Sequence, residues 1–449
     1  MIKYLLLSGI LCSIGMVSRS QMTDSVRCKT DPGQAYAMYV PPKAKTAVLP
    51  LVYCFDPHGA GALPVKKYRA LADAYGFILV GSYNSRNGND WPTTENIWQQ
   101  LSADVSGRLK FDSRRVYTLG FSGGAKVASY IAIQHAGIAG VIAGGAGLPD
   151  GVAARDYPFS FTAIAGQGDM NLTELVTLSA DFDKTATRHR LILFDGKHEW
   201  APVNTMGLAF AGLRFDAMRA GLTPKDNYFI NTYVAGSKKR LRAYELTRQL
   251  IKAAQECKLS IADLDGVSRQ VAWFRQQAGA LDANPDYQAE VAAQQKLLET
   301  EQNAKAVFMQ HFQQSDDQYW DSTIHDLDNK SVGHSPEEQM YQRLLAYLSL
   351  AFYSISNQLI NGNDNGQARH FVELYKLADP GNSEAWYFSA ILDARDGKTQ
   401  DTEADLLKAV RLGFRDRARL SQQLEFQHLT PSLALDKIEK AMHPQNSPK

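Results

Sequence analysis

The sequence predicts an α/β fold with a mostly parallel sheet, followed by an all-α region, and three observations predict it. Between about residues 34 and 194, short runs that are apolar nearly throughout alternate with segments of helix length, the pattern of strands buried on both faces under helices. From about Asp226 the strand-like runs stop, and segments rich in Ala, Gln, Leu, Glu and Lys take over at 240–257, 289–314 and 336–358. In the middle of the first region, the apolar run 116–119 enters Gly120-Phe121-Ser122-Gly123-Gly124 and continues into small and apolar residues from Ala125. That is a strand, a sharp turn and a helix.

Residues 1–20 carry Lys3, the apolar run 5–11 and the small residues Ser18 and Ser20, which together predict a secretory signal peptide and a secreted or periplasmic protein. The run is too short to span a bilayer, and no later stretch approaches ~18 consecutive apolar residues. Leu11 before Cys12 is bulkier than the residue that usually precedes a lipid-bearing cysteine, so no anchor is expected there. Removal of the leader leaves Cys28, Cys54 and Cys257. Cys28 and Cys54 are available for one disulfide, but three scattered cysteines make no disulfide framework. No His/Cys spacing matches a metal site, and neither metal nor cofactor is expected. With 48 basic and 47 acidic residues and no basic run longer than Lys238-Lys239-Arg240, nucleic acid is not an expected partner.

Within 21–225 the expected strands are 34–40, 48–55, 77–82, 116–119, 140–143, 159–165 and 190–194, with helices at 65–75, 95–109, after the turn at Ser122, and at 172–182. Sites in such sheets lie beyond the strand C-termini. Ser122, with glycines two before and two after, suits a nucleophile elbow, where a Cβ at either glycine would obstruct the crossing of strand and helix. After 52–55 comes Asp56-Pro57-His58-Gly59-Ala60-Gly61, whose backbone N–H groups suit one half of an oxyanion hole at Gly59, unless it is an ordinary turn. Gly123, directly after the serine, would supply the other half. After 162–165, Asp169 suits either the orienting acid of an imidazole or the cap of the next helix; Asp181 and Asp183 lie toward that helix's far end and rank below it. After 191–194, the glycine-containing loop places His198 where a general base would reach Ser122. The order Ser122, Asp169, His198 is the chain order of the α/β-hydrolase triad. Trp91 and Trp200 would form an apolar wall for an acyl or aromatic group, or else pack the loops, with Arg86 available for a polar group.

On these pieces, His58-Gly59, Gly120-Phe121-Ser122-Gly123-Gly124, Gly168-Asp169 and His198-Glu199-Trp200, residues from about Gln34 to Gly221 resemble an α/β-hydrolase of the secreted esterase group that includes polyhydroxybutyrate-depolymerase-like and feruloyl-esterase-like proteins. The resemblance implies that Ser122 attacks an ester carbonyl, His198 shuttles its proton and Asp169 orients His198. Asp56-Pro57 departs from the more apolar lead-in often seen in that group.

The region 226–449 is expected to be helical, with Trp386, Ala390, Gly397 and Ala409 resembling a tetratricopeptide repeat, and Phe352, Ala368 and Pro380 fitting one period earlier. Two repeats near 349–414 are legible, and a plain pair of helical hairpins is the alternative. The chain thus reads as a serine esterase acting on a small or polymer-linked ester, with a protein partner possible for the helical region. A vestigial hydrolase fold that binds a partner, and a peptidase or thioesterase using the same groups, are the competing readings.

Overall fold

The computed structural model describes residues 21–313, 317–429 and 434–442; the leader expected at 1–20 and Cys12 lie outside them. Eight strands, β1 (Gln21–Arg27), β2 (Ala35–Val40), β3 (Leu51–Phe55), β4 (Ile78–Ser82), β5 (Val116–Phe121), β6 (Ile138–Gly144), β7 (Ser160–Gly166) and β8 (His189–Phe194), form one sheet in the order β1-β2-β4-β3-β5-β6-β7-β8. β2 runs antiparallel to both of its neighbours, and every pairing from β4 to β8 is parallel. This is an α/β-hydrolase sheet, with a helical region after it. The strand the sequence did not announce is β1. Its Gln-Met-Thr-Asp-Ser-Val-Arg is polar because it is an edge strand, with little apolar alternation to detect.

Helices α1 (Ala62–Lys67), α2 (Arg69–Tyr75), α3 (Trp91–Arg108), α4 (Gly123–Gln134), α5 (Leu172–Phe182) and α6 (Val203–Arg219) cover the sheet. One face buries Tyr53, Phe55 and Val80 against Trp98 and Leu101 of α3, Ala125 and Ala128 of α4, and Leu175 of α5. The other buries Val52, Cys54 and Leu79 against Val65 of α1, Ala72 of α2 and Phe210 of α6. The single helix expected at 65–75 is broken at Tyr68, whose hydroxyl donates to the Ala201 carbonyl at 2.8 Å. Cys28 and Cys54 belong to the cores on opposite faces of the sheet, and both are free and buried, as is Cys257. Burial pushes the Cys28 thiol up to about 11 and the Cys257 thiol to about 12.

The helical region comprises α7 (Asn227–Leu246), α8 (Leu250–Leu264), α9 (Val271–Asp282), α10 (Pro285–His311), α11 (Asp317–Lys330), α12 (Pro336–Asn361), α13 (Asn365–Ala378), α14 (Ser383–Arg395), α15 (Thr399–Arg411), α16 (Arg417–Gln422), α17 (Leu424–His428) and α18 (Leu435–Ala441). Packing is continuous across residue 225: Phe215 and Met218 of α6 share a core with Tyr233 and Val234 of α7, Leu264 of α8 and Phe274 of α9. Arg190 of edge strand β8 is wholly buried there, bonded to Asp263 of α8 at 2.5 Å and Asp216 of α6 at 2.7 Å. Burial opposes ionisation of Asp216, yet Arg190 outweighs it and holds that carboxyl below the usual range. Farther on, α12 pairs with α13 and α14 with α15 around Phe352, Ala368, Ala390, Leu406 and Ala409. Gly397 takes φ +73° in the turn between α14 and α15. Among the described residues no helix is long and apolar enough to cross a membrane.

Candidate active site

β5 delivers Ser122 into a turn with φ 52° and ψ −125°, in the left-handed half of backbone space that a non-glycine residue adopts only when its surroundings enforce it. Those surroundings are tight. A Cβ on Gly120 would collide with the Gly124 carbonyl, and one on Gly124 with the Phe55 carbonyl of β3. Both glycines are thus required by a close backbone approach, which is the steric reason for the Gly-x-Ser-x-Gly spacing.

Asp169 and His198 arrive on the loops after β7 and β8. His198 Nε2 lies 3.0 Å from Ser122 Oγ, and His198 Nδ1 lies 2.9 Å from Asp169 Oδ1. A carboxylate only accepts, so Nδ1 carries the proton and Nε2 is left to accept from the serine hydroxyl. Asp169 is 1% exposed, and its Oδ1 also takes the Asn171 N–H at 2.9 Å. It thus holds the imidazole and closes the turn before α5, while the N-cap of that helix is Asn171, with no side-chain cap. Gly168 N–H donates to the Gly196 carbonyl at 2.8 Å, which fastens the two loops to each other. The imidazole packs against Phe121, ring centres 4.7 Å apart, and Gly145 at φ +66° leaves room for both rings. Asp181 and Asp183 are elsewhere, paired with Lys184 and His189.

The loop after β3 is organised by Asp56. One of its oxygens accepts the N–H groups of His58 (2.9 Å) and Ala60 (3.1 Å), and the other accepts Trp200 Nε1 at 2.9 Å. Gly59, at φ +70°, donates its own N–H to the Asp56 carbonyl at 3.1 Å. Gly123 opens α4, where an N–H has no intrahelical acceptor. Over it lies Asn87, whose amide a Cβ on Gly123 would strike. Asn87 is held there by its backbone N–H on the Pro57 carbonyl at 2.8 Å. The sequence marks Asp56 only as a departure from the family's apolar lead-in and gives Asn87 no role; an Asp two residues before an N–H it caps is a legible turn signal, whereas the placement of Asn87 is set by tertiary contact.

Trp200 is buried, with its ring against Phe121 and Tyr68 and its N–H on Asp56. Trp91 is 41% exposed at the start of α3 and stacks on Tyr130 of α4 at 4.4 Å. The two tryptophans thus lie on different helix and loop contacts. Among the described residues no group of three or more His, Cys, Asp and Glu side chains is placed to hold a metal ion.

No family model matches the chain, and no curated protein matches it. Its structure is similar to solved structures of an S-formylglutathione hydrolase from Staphylococcus aureus (10% identical, covering 44% of this chain and 96% of that one, TM-score 0.35). An S-formylglutathione hydrolase from Agrobacterium tumefaciens (18% identical, 44% and 93% covered, TM-score 0.34) is also similar. So is a ferulic acid esterase (15% identical, 44% and 98% covered, TM-score 0.35).

Proposed function

We propose that this chain is a serine hydrolase that cleaves carboxylic esters through an acyl-enzyme on Ser122. The observation that carries the reading is the continuous hydrogen-bonded line from Ser122 Oγ through His198 to buried Asp169, at 3.0 and 2.9 Å, beneath a serine in a strained turn. As Oγ attacks the ester carbonyl, His198 Nε2 takes its proton, and Asp169 stabilises the imidazolium through Nδ1–H. The oxyanion falls toward Gly123 N–H, at the start of α4. Gly59 shapes the turn, since its own N–H is engaged by Asp56. Collapse breaks the carbon–oxygen bond, His198 returns the proton to the departing alcohol, and water then repeats the sequence on the acyl-enzyme.

In the same proposal the chain is secreted or periplasmic through a leader at 1–20, the catalytic groups lie within 21–225, and 226–449 is an accessory helical region with a surface for a protein partner. The stacked hairpins of 349–414 are tetratricopeptide-like, with buried Ala390 and Ala409 at helix contacts in favour. Trp91 and Trp200 are retained as substrate-side residues, Trp91 as exposed surface and Trp200 as the backing of Phe121.

The test is a fluorophosphonate probe, in which Ser122 Oγ displaces fluoride from phosphorus. Labelling of the native protein and its abolition in Ser122→Ala are expected, with turnover of an aryl ester falling ~10⁶-fold. A folded protein that neither labels nor turns over would favour the non-catalytic reading. A panel of alkyl esters, aryl esters, thioesters and peptides separates the leaving groups.

A further inference from the structure

We infer that the helical region is a working part of the active site, and that Arg343 of α12 is a positioning residue that fixes the loop carrying Asp169. The inference deepens the proposed function and rests on Ser122, His198 and Asp169 acting as a triad. Its basis is a buried cluster between the two regions. Glu301 of α10 is fully buried and receives Arg343 Nε at 2.8 Å, Arg343 Nη2 at 2.7 Å and Lys305 Nζ at 2.7 Å. From that cluster both cations reach the acid loop. Arg343 Nη1 donates to the Gln167 carbonyl at 2.7 Å, and Lys305 Nζ to the Met170 carbonyl at 3.3 Å. The two carbonyls bracket Asp169, two residues before it and one after.

Further contacts point the same way. Gln339, one turn from Arg343, donates to Gln167 Oε1 at 3.2 Å and to Asp195 Oδ1 at 3.5 Å, touching the acid loop and the histidine loop together. Gln342 Oε1 lies 3.1 Å from where a Cβ of Gly168 would stand, so α12 rests directly on the residue before Asp169. Thr173, in the first turn of α5, bonds Glu301 at 3.4 Å. Within its own region the loop is held through Gln167 N–H to Phe194 and Gly168 N–H to Gly196 on the β8 side, Asp169 N–H to Gly166, and Asn171 Nδ2 to the Gly145 carbonyl after β6. The carbonyls of Gln167 and Met170 are taken up by the helical region. A guanidinium suits this role because its planar fork serves Glu301 and the Gln167 carbonyl at once, and a lysine at 343 has no such fork.

The consequence is mechanical. If the bracket is removed, Asp169 is free to shift by about an ångström, and His198 loses its alignment to Ser122. A misplacement near 1 Å in a catalytic array costs about 10²-fold in rate. The variants are Arg343→Lys, and the pair Arg343→Met with Glu301→Gln, which avoids burying an unpaired Glu301. We expect kcat on p-nitrophenyl acetate to fall ~10²-fold with KM within about twofold, and unfolding in urea to stay cooperative. In an Asp169→Asn background the same pair should cost less than about threefold, because the residue it acts through is already disabled. Equal losses in both backgrounds, or an unchanged kcat, overturns the inference.

Should the pair fail to fold, Gln339→Ala leaves the Arg343–Glu301 ion pair in place and is expected to lower kcat about threefold by the same route; no change there counts against the proposal. A second readout does not need turnover. The far-downfield proton resonance of His198 Nδ1–H on Asp169, identified by its loss in His198→Ala, should broaden or vanish in the Arg343 variants. An inactive, unlabelled parent would sink the esterase reading. Persistence of that resonance in a folded Arg343 variant would sink the positioning role alone.

Discussion

Two loops on the active edge of the sheet solve the same problem in different ways. The loop after β3 is closed from within: Asp56 gathers the N–H groups of His58 and Ala60 and the Trp200 indole, and every partner belongs to the hydrolase region. The loop after β7, which carries Asp169, has bonds of its own, Gly168 N–H to Gly196 and Asn171 Nδ2 to the Gly145 carbonyl, but is braced from outside as well, by Arg343, Lys305 and Gln339, more than a hundred residues later. A self-bracing loop tolerates changes in whatever covers it. A loop braced by a second region ties the placement of Asp169 to how that region docks, and the continuous packing of α6 with α7 to α9 and the Arg190 cluster make the docking firm.

The sharpest way to break the comparison is to disable what the external bracing serves. Asp169→Asn should lower kcat ~10⁴-fold while leaving the fold intact, since the amide favours the wrong tautomer of His198. Stopped-flow turnover of an aryl ester, with circular dichroism as the control, measures it; a loss under tenfold would leave α12 bracing a loop of no catalytic consequence.

Next in size is the self-braced loop. Asp56→Ala strands three N–H donors, the Trp200 indole among them in a buried setting, and should destabilise the protein by about 3 kcal/mol. Because Asn87 hangs on the Pro57 carbonyl beside this turn, kcat should fall too. The urea midpoint and kcat are read in the same samples. Unchanged stability would mean that the turn is held by its surroundings after all, and the contrast between the loops would disappear.

The contrast also explains what the sequence could carry. That Ser122, Asp169 and His198 come together was legible because each sits at a strand end, and strand ends follow from apolar runs; the tight turn at Gly120 and Gly124 was legible because its cause is local and steric. Edge strand β1 escaped because polar residues suit an edge, and α6 because its segment carries no strong start signal beyond Pro202. Asp56 was visible only as a departure from a pattern, although an Asp followed two residues later by a donor is a local turn device. Arg343, Glu301 and Lys305 could not be read at all. On a helix they pass as ordinary charged residues, and only the docking of α10 and α12 on the acid loop turns them inward. The ion pair of Arg190 with Asp263 was hidden for the same reason, its partners lying 73 positions apart.

The smallest effect discriminates most finely, because it compares the two ends of α5. Asp169 lies just before its start, 1% exposed and bonded to His198, whereas Asp183 closes its far end with a side chain 59% exposed and 3.2 Å from His189 Nε2. Both are aspartates in the same segment between β7 and β8, and by sequence position alone either could serve as the third member of the triad. An exposed pair of this kind contributes about 0–1 kcal/mol. A negative charge at a helix C-terminus is itself mildly unfavourable, so its neutralisation offsets part of the lost pairing. Asp183→Asn should therefore leave kcat and KM within about twofold and shift the urea midpoint by an amount equivalent to less than about 1 kcal/mol. A kcat loss comparable to that of Asp169→Asn would transfer the acid's role to the far end of α5, where the contacts of Arg343 and Lys305 with the loop would have no carboxylate to position.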